Sequence, residues 1–194
     1  MLPTAPSPHP VQAAGGELSH RVRGDVPLLQ FGAGSPASTP LPILDIEGNQ
    51  VEVSFSPDDG TMDRVLELVK DAGESVHFMA YSFTDDDLAE AMIAAHNSGL
   101  EVAGVMDKSQ ALGNTGGEYQ NLLENGIDVR LDGNPKSMHH KVIIIDGEIV
   151  VTGSYNFSKS AKTKNDENTL ILHSPEIAEL YIEEFERVWG LTGN

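Results

Sequence analysis

Residues 139–156, which read HHKVIIIDGEIVVTGSYN, bring together side chains that are suited to phosphate chemistry. The apolar run after Lys141 is typical of a buried strand. Because side chains alternate along a strand, we expect His139 and Lys141 on one face and His140 on the other. Histidine can supply a nucleophile for phosphorus while lysine binds a phosphoryl oxygen. The segment therefore predicts phosphoryl transfer with one candidate histidine.

The spacing of this segment resembles the HKD motif of the phospholipase D superfamily. That motif has a histidine, one residue, a lysine, four residues and an aspartate, followed by Gly-Ser and a nearby Asn. The matching positions are His139, Lys141, Asp146, Gly153, Ser154 and Asn156. The likeness continues into NDENTLIL. Glu167 in this stretch matches the position at which small bacterial nucleases of the superfamily have a glutamate beside the nucleophile. It covers roughly residues 50–190, which is the length of one catalytic half in that family.

The resemblance implies a phosphodiester hydrolase that acts through a phosphohistidine intermediate. His139 is expected to be the nucleophile or the acid for the leaving group, depending on its subunit. Lys141 and Asn156 are expected to bind the nonbridging phosphate oxygens, and Ser154 is a further candidate for substrate binding. Glu167 is expected to accept a hydrogen bond from the other ring nitrogen of His139 and so to fix its tautomer.

Asp146 and Gly153 are expected to serve the structure of the motif. Positions 139, 141, 143 and 145 share a strand face, so Asp146 should leave on the opposite side. Asp before Gly is also a strong signal for a hairpin turn. We therefore predict that Asp146 positions the turn and its strands and does not transfer protons.

The chemistry also predicts an assembly. Hydrolysis through a covalent intermediate needs a nucleophile for phosphorus and an acid for the departing oxygen, and one histidine cannot do both at once. Relatives in the resembled family bring two HKD motifs together across a pseudo-twofold axis, whereas this sequence contains one. We expect a homodimer in which two copies of His139 meet. Pairing with another HKD half, a separated half of a two-motif enzyme and a noncatalytic binding module remain open.

Charge and composition bear on the substrate. The 194 residues carry a net charge of −18, which argues against nonspecific adhesion to nucleic acid or anionic membranes. Residues 130–164, however, hold six basic and three acidic residues, a net charge of +3 that would attract an anionic substrate. We expect a phospholipid substrate first. A metal-independent endonuclease acting on DNA or RNA is the alternative.

No metal or other cofactor is expected. The sequence has no cysteine, which excludes disulfides, thiolate catalysis and cysteine-ligated zinc. His77 lies inside an apolar strand and is expected to be a core histidine and not a ligand. His96 and His173 have no partners at metal-ligand spacing, and a helix N-terminus explains residues 85–87. No apolar run approaches the roughly 20 residues of a membrane helix. The first residues also lack the pattern of a secretory signal, so we favour a cytoplasmic location.

Alternating strands and helices must position the motif. Residues 1–45 are rich in Pro, Gly, Ala and Ser and predict a tail or linker, while residues 46–194 predict the catalytic domain. Strands are predicted at 51–56, 75–83, 100–106, 127–131, on both sides of the Asp146 turn, and at 168–173. Helices are predicted at 61–73, after Thr84, at 117–125 and at 175–189. The order predicts an α/β fold with a mixed, largely parallel β-sheet sandwiched by helices.

Overall fold

The computed structural model describes residues 41–46 and 48–192. Most of the expected tail lies outside these residues. The strands of the described chain are β1 (Ile43–Ile46), β2 (Asn49–Ser56), β3 (Ser75–Ala80), β4 (Glu101–Met106), β5 (Asp128–Leu131), β6 (Lys141–Ile145), β7 (Ile149–Gly153) and β8 (Glu167–His173). Its helices are α1 (Thr61–Asp71), α2 (Asp86–Asn97), α3 (Lys108–Gly113), α4 (Tyr119–Glu124), α5 (Lys159–Thr163) and α6 (Pro175–Trp189).

The eight strands form one sheet in the order β1-β2-β8-β7-β6-β3-β4-β5. The predicted α/β class and mixed sheet are confirmed. Pairing is parallel only between β3 and β4 and between β4 and β5, and it is antiparallel in the other five pairs. The parallel share is thus smaller than expected. A tight turn joins β6 to β7, and such a turn produces an antiparallel pair without the crossover that parallel strands require.

Helices cover both faces of the sheet, as predicted for a sandwich. Helices α1 and α2 bury one apolar core, which includes Met62, Val65, Leu88 and Phe78. Helix α6 buries a second core on the opposite face, where it packs over β3, β4, β6 and β7. Leu172 of β8 packs against this core, whereas Leu44, Ile46, Phe55 and Leu170 on the same side of β1, β2 and β8 stay exposed.

The helix starts follow the expected capping chemistry. Asp85 caps α2, because its carboxylate accepts a hydrogen bond from the Leu88 N–H at 3.1 Å. Ser174 caps α6 in the same way, and Pro175 occupies the first turn, where a missing N–H does no harm. These caps satisfy N–H groups in the first turns of α2 and α6 and fix where the two helices begin.

Four elements differ from the sequence prediction. Residues 43–45, which the sequence assigned to the tail, belong to β1 and pair with β2 at the edge of the sheet. Strand β3 ends at Ala80 and not at Phe83, because the chain bends at Tyr81. The sequence analysis did not predict helices α3 and α5, which have six and five residues. Helices this short are not long enough to show a clear apolar period.

Candidate active site

His139 and Lys141 lie together at the end of the sheet where the central strand β6 begins. His139 directly precedes β6, and Lys141 is the first residue of that strand. The Lys141 Nζ atom lies 3.2 Å from His139 Nδ1 and donates a hydrogen bond to the His139 carbonyl oxygen at 3.1 Å. His140 faces the other way, with Nε2 2.9 Å from Oε1 of Glu184 on α6. The side chains thus alternate as the sequence predicts.

The two neighbouring side chains differ in solvent exposure. His139 is exposed, whereas Lys141 is buried with 8% of its surface accessible. Burial lowers the pKa of Lys141, and the negative charge of Glu167 opposes part of this shift. A poorly hydrated ammonium beside an accessible imidazole interacts strongly with an incoming anion, since water screens it less.

Tyr81 completes the surroundings of this pair. Its ring centroid lies 4.2 Å from that of His139, and Lys141 Nζ lies over the same ring at 4.8 Å from its centroid. The sequence analysis missed Tyr81, because it fell within a run that was interpreted as a continuous buried strand. The available signal was its position at the carboxyl end of β3, beside the strand that begins with Lys141.

Ser154 and Glu167 form a hydrogen-bonded group one strand away from His139. Ser154 Oγ donates to Glu167 Oε2 at 2.5 Å, and Asn165 Nδ2 donates to Glu167 Oε1 at 3.0 Å. The Asn168 N–H donates to Ser154 Oγ at 3.1 Å. This network fixes the Ser154 hydroxyl and both oxygens of the Glu167 carboxylate.

The expected hydrogen bond between Glu167 and His139 does not occur within the described chain. Glu167 begins β8, and β8 pairs with β7, so its carboxylate lies beside Ser154 at the end of β7. His139 precedes β6, which is one strand further along the sheet. Glu167 instead acts on the site through its charge, which opposes the lowering of the Lys141 pKa.

Gly153 and Asn156 belong to the turn that follows β7. Gly153 has a φ of 152°, and a Cβ at this position would lie 2.1 Å from the Asn168 carbonyl oxygen. Only glycine permits this approach of β7 to β8. Asn156 is partly buried, and its Oδ1 has no hydrogen-bond partner within the described chain. A buried amide oxygen without a partner at this end of the sheet is a candidate ligand-binding group.

Asp146 lies at the other end of β6 from Lys141. Its carboxylate accepts hydrogen bonds from the N–H groups of Gly73, Glu74 and Ser75 at 2.8 to 2.9 Å. Burial acts to raise the pKa of Asp146, but these three hydrogen bonds outweigh it and hold the pKa below its ordinary value. Asp146 therefore ties the β6-β7 turn to the loop before β3 and does not contact His139 or Lys141.

The basic segment 130–164 divides into paired and unpaired side chains. Arg130 pairs with Asp128 at 2.9 Å, and Lys162 pairs with Asp63 at 3.4 Å. These two cations are partly neutralised, so the positive rim is weaker than the sequence count suggested. The exposed lysines that form no ion pair with the described residues are Lys136, Lys159 and Lys164.

Two of the other histidines, His77 and His173, contact structural partners. His77 packs against Phe185, with ring centroids 4.9 Å apart, and His173 Nε2 lies 2.7 Å from Oε1 of the buried Glu52. Within residues 41–46 and 48–192, no group of three or more His, Asp or Glu side chains is arranged to bind a metal ion. The same part of the chain contains no helix with the length and apolarity needed to cross a membrane.

The fold and the site together define a family. A family model described as "Cardiolipin synthase, PLD-like domain" matches residues 65–189, which include every element that positions His139, Lys141 and Asn156. The chain belongs to the phospholipase D superfamily.

Named relatives agree with this assignment. The chain is 30% identical to the mitochondrial cardiolipin hydrolase of Chlamydomonas reinhardtii over 140 residues, which are 72% of this chain and 61% of that protein. It is 32% identical to phospholipase D of Rickettsia prowazekii over 143 residues, 74% of this chain and 69% of that protein. The chain thus spans less than two thirds of the Chlamydomonas protein.

A solved structure has the same fold. Nuc from Salmonella typhimurium, a phospholipase D family member, superimposes with a TM-score of 0.70 at 35% identity. The match covers 75% of this chain and 97% of Nuc. The described domain therefore corresponds in extent to nearly the whole Nuc chain.

Proposed function

We propose that this protein is a phospholipase D-type phosphodiester hydrolase and that His139 carries the phosphoryl group during turnover. The 3.2 Å contact between His139 Nδ1 and Lys141 Nζ carries this proposal. An exposed imidazole this close to a buried cation supports the proposal, because a single phosphate group can contact both side chains.

The reaction follows from these groups in two steps. A ring nitrogen of His139 attacks phosphorus, the bond from phosphorus to the leaving oxygen breaks, and a second imidazole donates a proton to that oxygen. Water then attacks the phosphohistidine, gives its proton to the second imidazole, and the P–N bond breaks. Lys141 and the Asn156 amide stabilise the negative charge on the nonbridging oxygens in both steps.

The second imidazole is proposed to be His139 of another copy of the chain. The sheet face beside α6 supports this proposal, because its β1-β2-β8 part exposes a group of apolar side chains. We call this group the open apolar face; it consists of Leu44, Ile46, Phe55 and Leu170, which are 36% to 59% exposed. Helix α6 also exposes Leu180, at 64%. Exposed apolar surface of this kind is typical of a protein interface.

The open apolar face borders the end of the sheet that carries Ser154 and Glu167. Phe55 is opposite Asn168 in the β2-β8 register, and the Asn168 N–H binds the Ser154 hydroxyl. In a twofold dimer, each copy would place its own α6 on the open apolar face of the other copy. We infer that the two copies of His139 then come near each other, because this face borders Ser154 and Glu167 at the end of the sheet that carries the motif.

The interface is tested by Phe55→Asp, with Leu112→Asp as the matched control. Leu112 is 63% exposed but lies on α3, outside the open apolar face. Light scattering after gel filtration should report a dimer for the native chain and for Leu112→Asp, and a monomer with little activity for Phe55→Asp. A native monomer with full activity contradicts the dimer. A native monomer that is active only with another HKD protein indicates hetero-pairing.

The proposed substrate is a phospholipid, in keeping with relatives named phospholipase D and cardiolipin hydrolase. Phosphatidylcholine vesicles are the first probe, and release of choline is the measurement. His139→Asn is the inactive control. Activity that persists in EDTA supports the expected metal-independent mechanism, whereas loss in EDTA that added divalent ions restore contradicts it.

A nuclease is the second candidate. The exposed lysines 136, 159 and 164, which form no ion pair with the described residues, favour it, since exposed cations in the same segment as the motif attract a polyanionic backbone. Cleavage of single-stranded DNA should then fall steeply as salt rises and should weaken when Lys159 and Lys164 are changed to Gln. Choline release without DNA cleavage excludes this candidate. No turnover of either substrate, together with an unmodified His139, favours a binding module.

A further inference from the structure

Tyr81 contacts both groups that the proposed reaction uses. Its ring centroid is 4.2 Å from the imidazole centroid of His139, with 48° between the ring planes. The Lys141 ammonium lies over the same ring, 4.8 Å from its centroid. A tilted aromatic pair and a cation over a ring face are both attractive arrangements. One side chain therefore contacts the proposed nucleophile and the proposed phosphate-binding cation.

The backbone holds Tyr81 in place independently of its ring. The Tyr81 N–H donates a hydrogen bond to the His140 carbonyl oxygen at 2.8 Å. The preceding residue, Ala80, is opposite Lys141 in the β3-β6 register. Exchanging the Tyr81 side chain leaves these backbone contacts available. Side-chain variants at this position can therefore separate the effect of the ring from the effect of the fold.

The imidazole of His139 and the ammonium of Lys141 make few polar contacts with the other described residues. Lys141 Nζ contacts His139 Nδ1 and the His139 carbonyl oxygen, and Glu167 acts on it through its charge. His139 is exposed, and the expected hydrogen bond from Glu167 is absent within the described chain. Among the described residues, the ring of Tyr81 makes the aromatic contact with the imidazole and Lys141 makes the side-chain polar contact.

We propose that Tyr81 is a positioning residue whose ring face holds the His139 imidazole and the Lys141 ammonium in the arrangement needed for attack on phosphorus. This inference rests on the proposed function, because it assigns His139 and Lys141 their roles in that reaction. The ring also favours the charged form of Lys141, since a buried ammonium with few hydrogen-bond acceptors gains from the electron-rich ring face. The hydroxyl of Tyr81 has no part in this role.

The experiment compares Tyr81→Phe with Tyr81→Leu and Tyr81→Met. Phenylalanine keeps the ring and removes the hydroxyl, whereas leucine and methionine keep apolar bulk and remove the ring. Circular dichroism and light scattering establish that each variant is folded and assembled like the native chain. Methionine provides a second ring-free variant if leucine does not fold.

Two measurements decide the proposal. In vesicle hydrolysis, kcat should fall by about tenfold or more in the ring-free variants while KM changes by less than about twofold, and Tyr81→Phe should stay close to native. In an NMR titration of the lysine side chains without substrate, the pKa of Lys141 should fall by about half a pH unit in the ring-free variants only.

The outcomes separate this inference from the proposed function. An unchanged Lys141 titration in the ring-free variants, or Tyr81→Phe as impaired as Tyr81→Leu, overturns the role of the ring. A native protein without hydrolase activity would refute the proposed function. The NMR titration would then still decide whether Tyr81 supports the charge of Lys141.

Discussion

Asp146→Ala should destabilise the protein without removing its chemistry. The substitution removes three hydrogen bonds, to the N–H groups of Gly73, Glu74 and Ser75. At about 1 kcal/mol net for each, their loss costs about 3 kcal/mol. The φ of Asp146 is 54°, in the left-handed region that alanine adopts less readily, which adds about 1 kcal/mol. We therefore expect a loss of about 4 kcal/mol in the free energy of unfolding.

Urea denaturation at neutral pH measures this loss, and Asp146→Asn is the matched control. Asparagine keeps one acceptor oxygen and tolerates the left-handed backbone, so it should lose less stability than alanine. The folded dimeric fraction of Asp146→Ala should retain its activity per active site. A folded, dimeric Asp146→Ala that has lost activity would refute the structural assignment of this residue.

The pH dependence of the same comparison has a definite sign. The pKa of Asp146 is lower in the folded chain than its ordinary value, so folding favours the ionised form. Its contribution is then fully present above the unfolded pKa of about 4 and is lost as the pH falls through the folded pKa. The stability difference between the native chain and Asp146→Ala should therefore be constant near neutrality and shrink below about pH 4.

Three further predictions concern the turn, the carboxylate and the assembly. Gly153→Ala should lower the free energy of unfolding by about 2 to 4 kcal/mol, measured in urea, because its Cβ would meet the Asn168 carbonyl oxygen at 2.1 Å; unchanged stability would contradict this close approach. Glu167→Gln should move the alkaline limb of the pH–rate profile to lower pH, since the Glu167 charge opposes the lowering of the Lys141 pKa; an alkaline limb that does not move would show that this charge does not act on Lys141 during turnover. Equal amounts of native and His139→Asn chains, refolded together, should give about a quarter of the native activity if every site needs both imidazoles, and about half if each copy works alone.

Local patterns predicted the strand that carries the motif. The apolar run after Lys141 and the Asp-Gly pair specify a buried strand and a turn, and both depend on neighbours in sequence. Alternation then placed His139 and Lys141 on one face and His140 on the other. These features need no knowledge of distant residues.

The contacts across the sheet could not be predicted in the same way. The partner of Glu167 depends on β8 pairing with β7, and the motif alone does not specify that strand order. Tyr81 reaches His139 because β3 lies next to β6, although 60 residues lie between Ala80 and its β6 partner Lys141 in the sequence.

The central claim is that His139 becomes covalently attached to phosphorus, and trapping the intermediate tests it most directly. Native protein is mixed with phosphatidylcholine vesicles, quenched in alkali within one turnover and digested for mass spectrometry, with His139→Asn treated in parallel. The account predicts a phosphatidyl group, or the glycerophosphoryl group that is left once alkali removes the acyl chains, on the peptide that contains His139 and none in the variant. Hydrolysis of the substrate without any phosphorylated histidine, or with the group on a different residue, would contradict it.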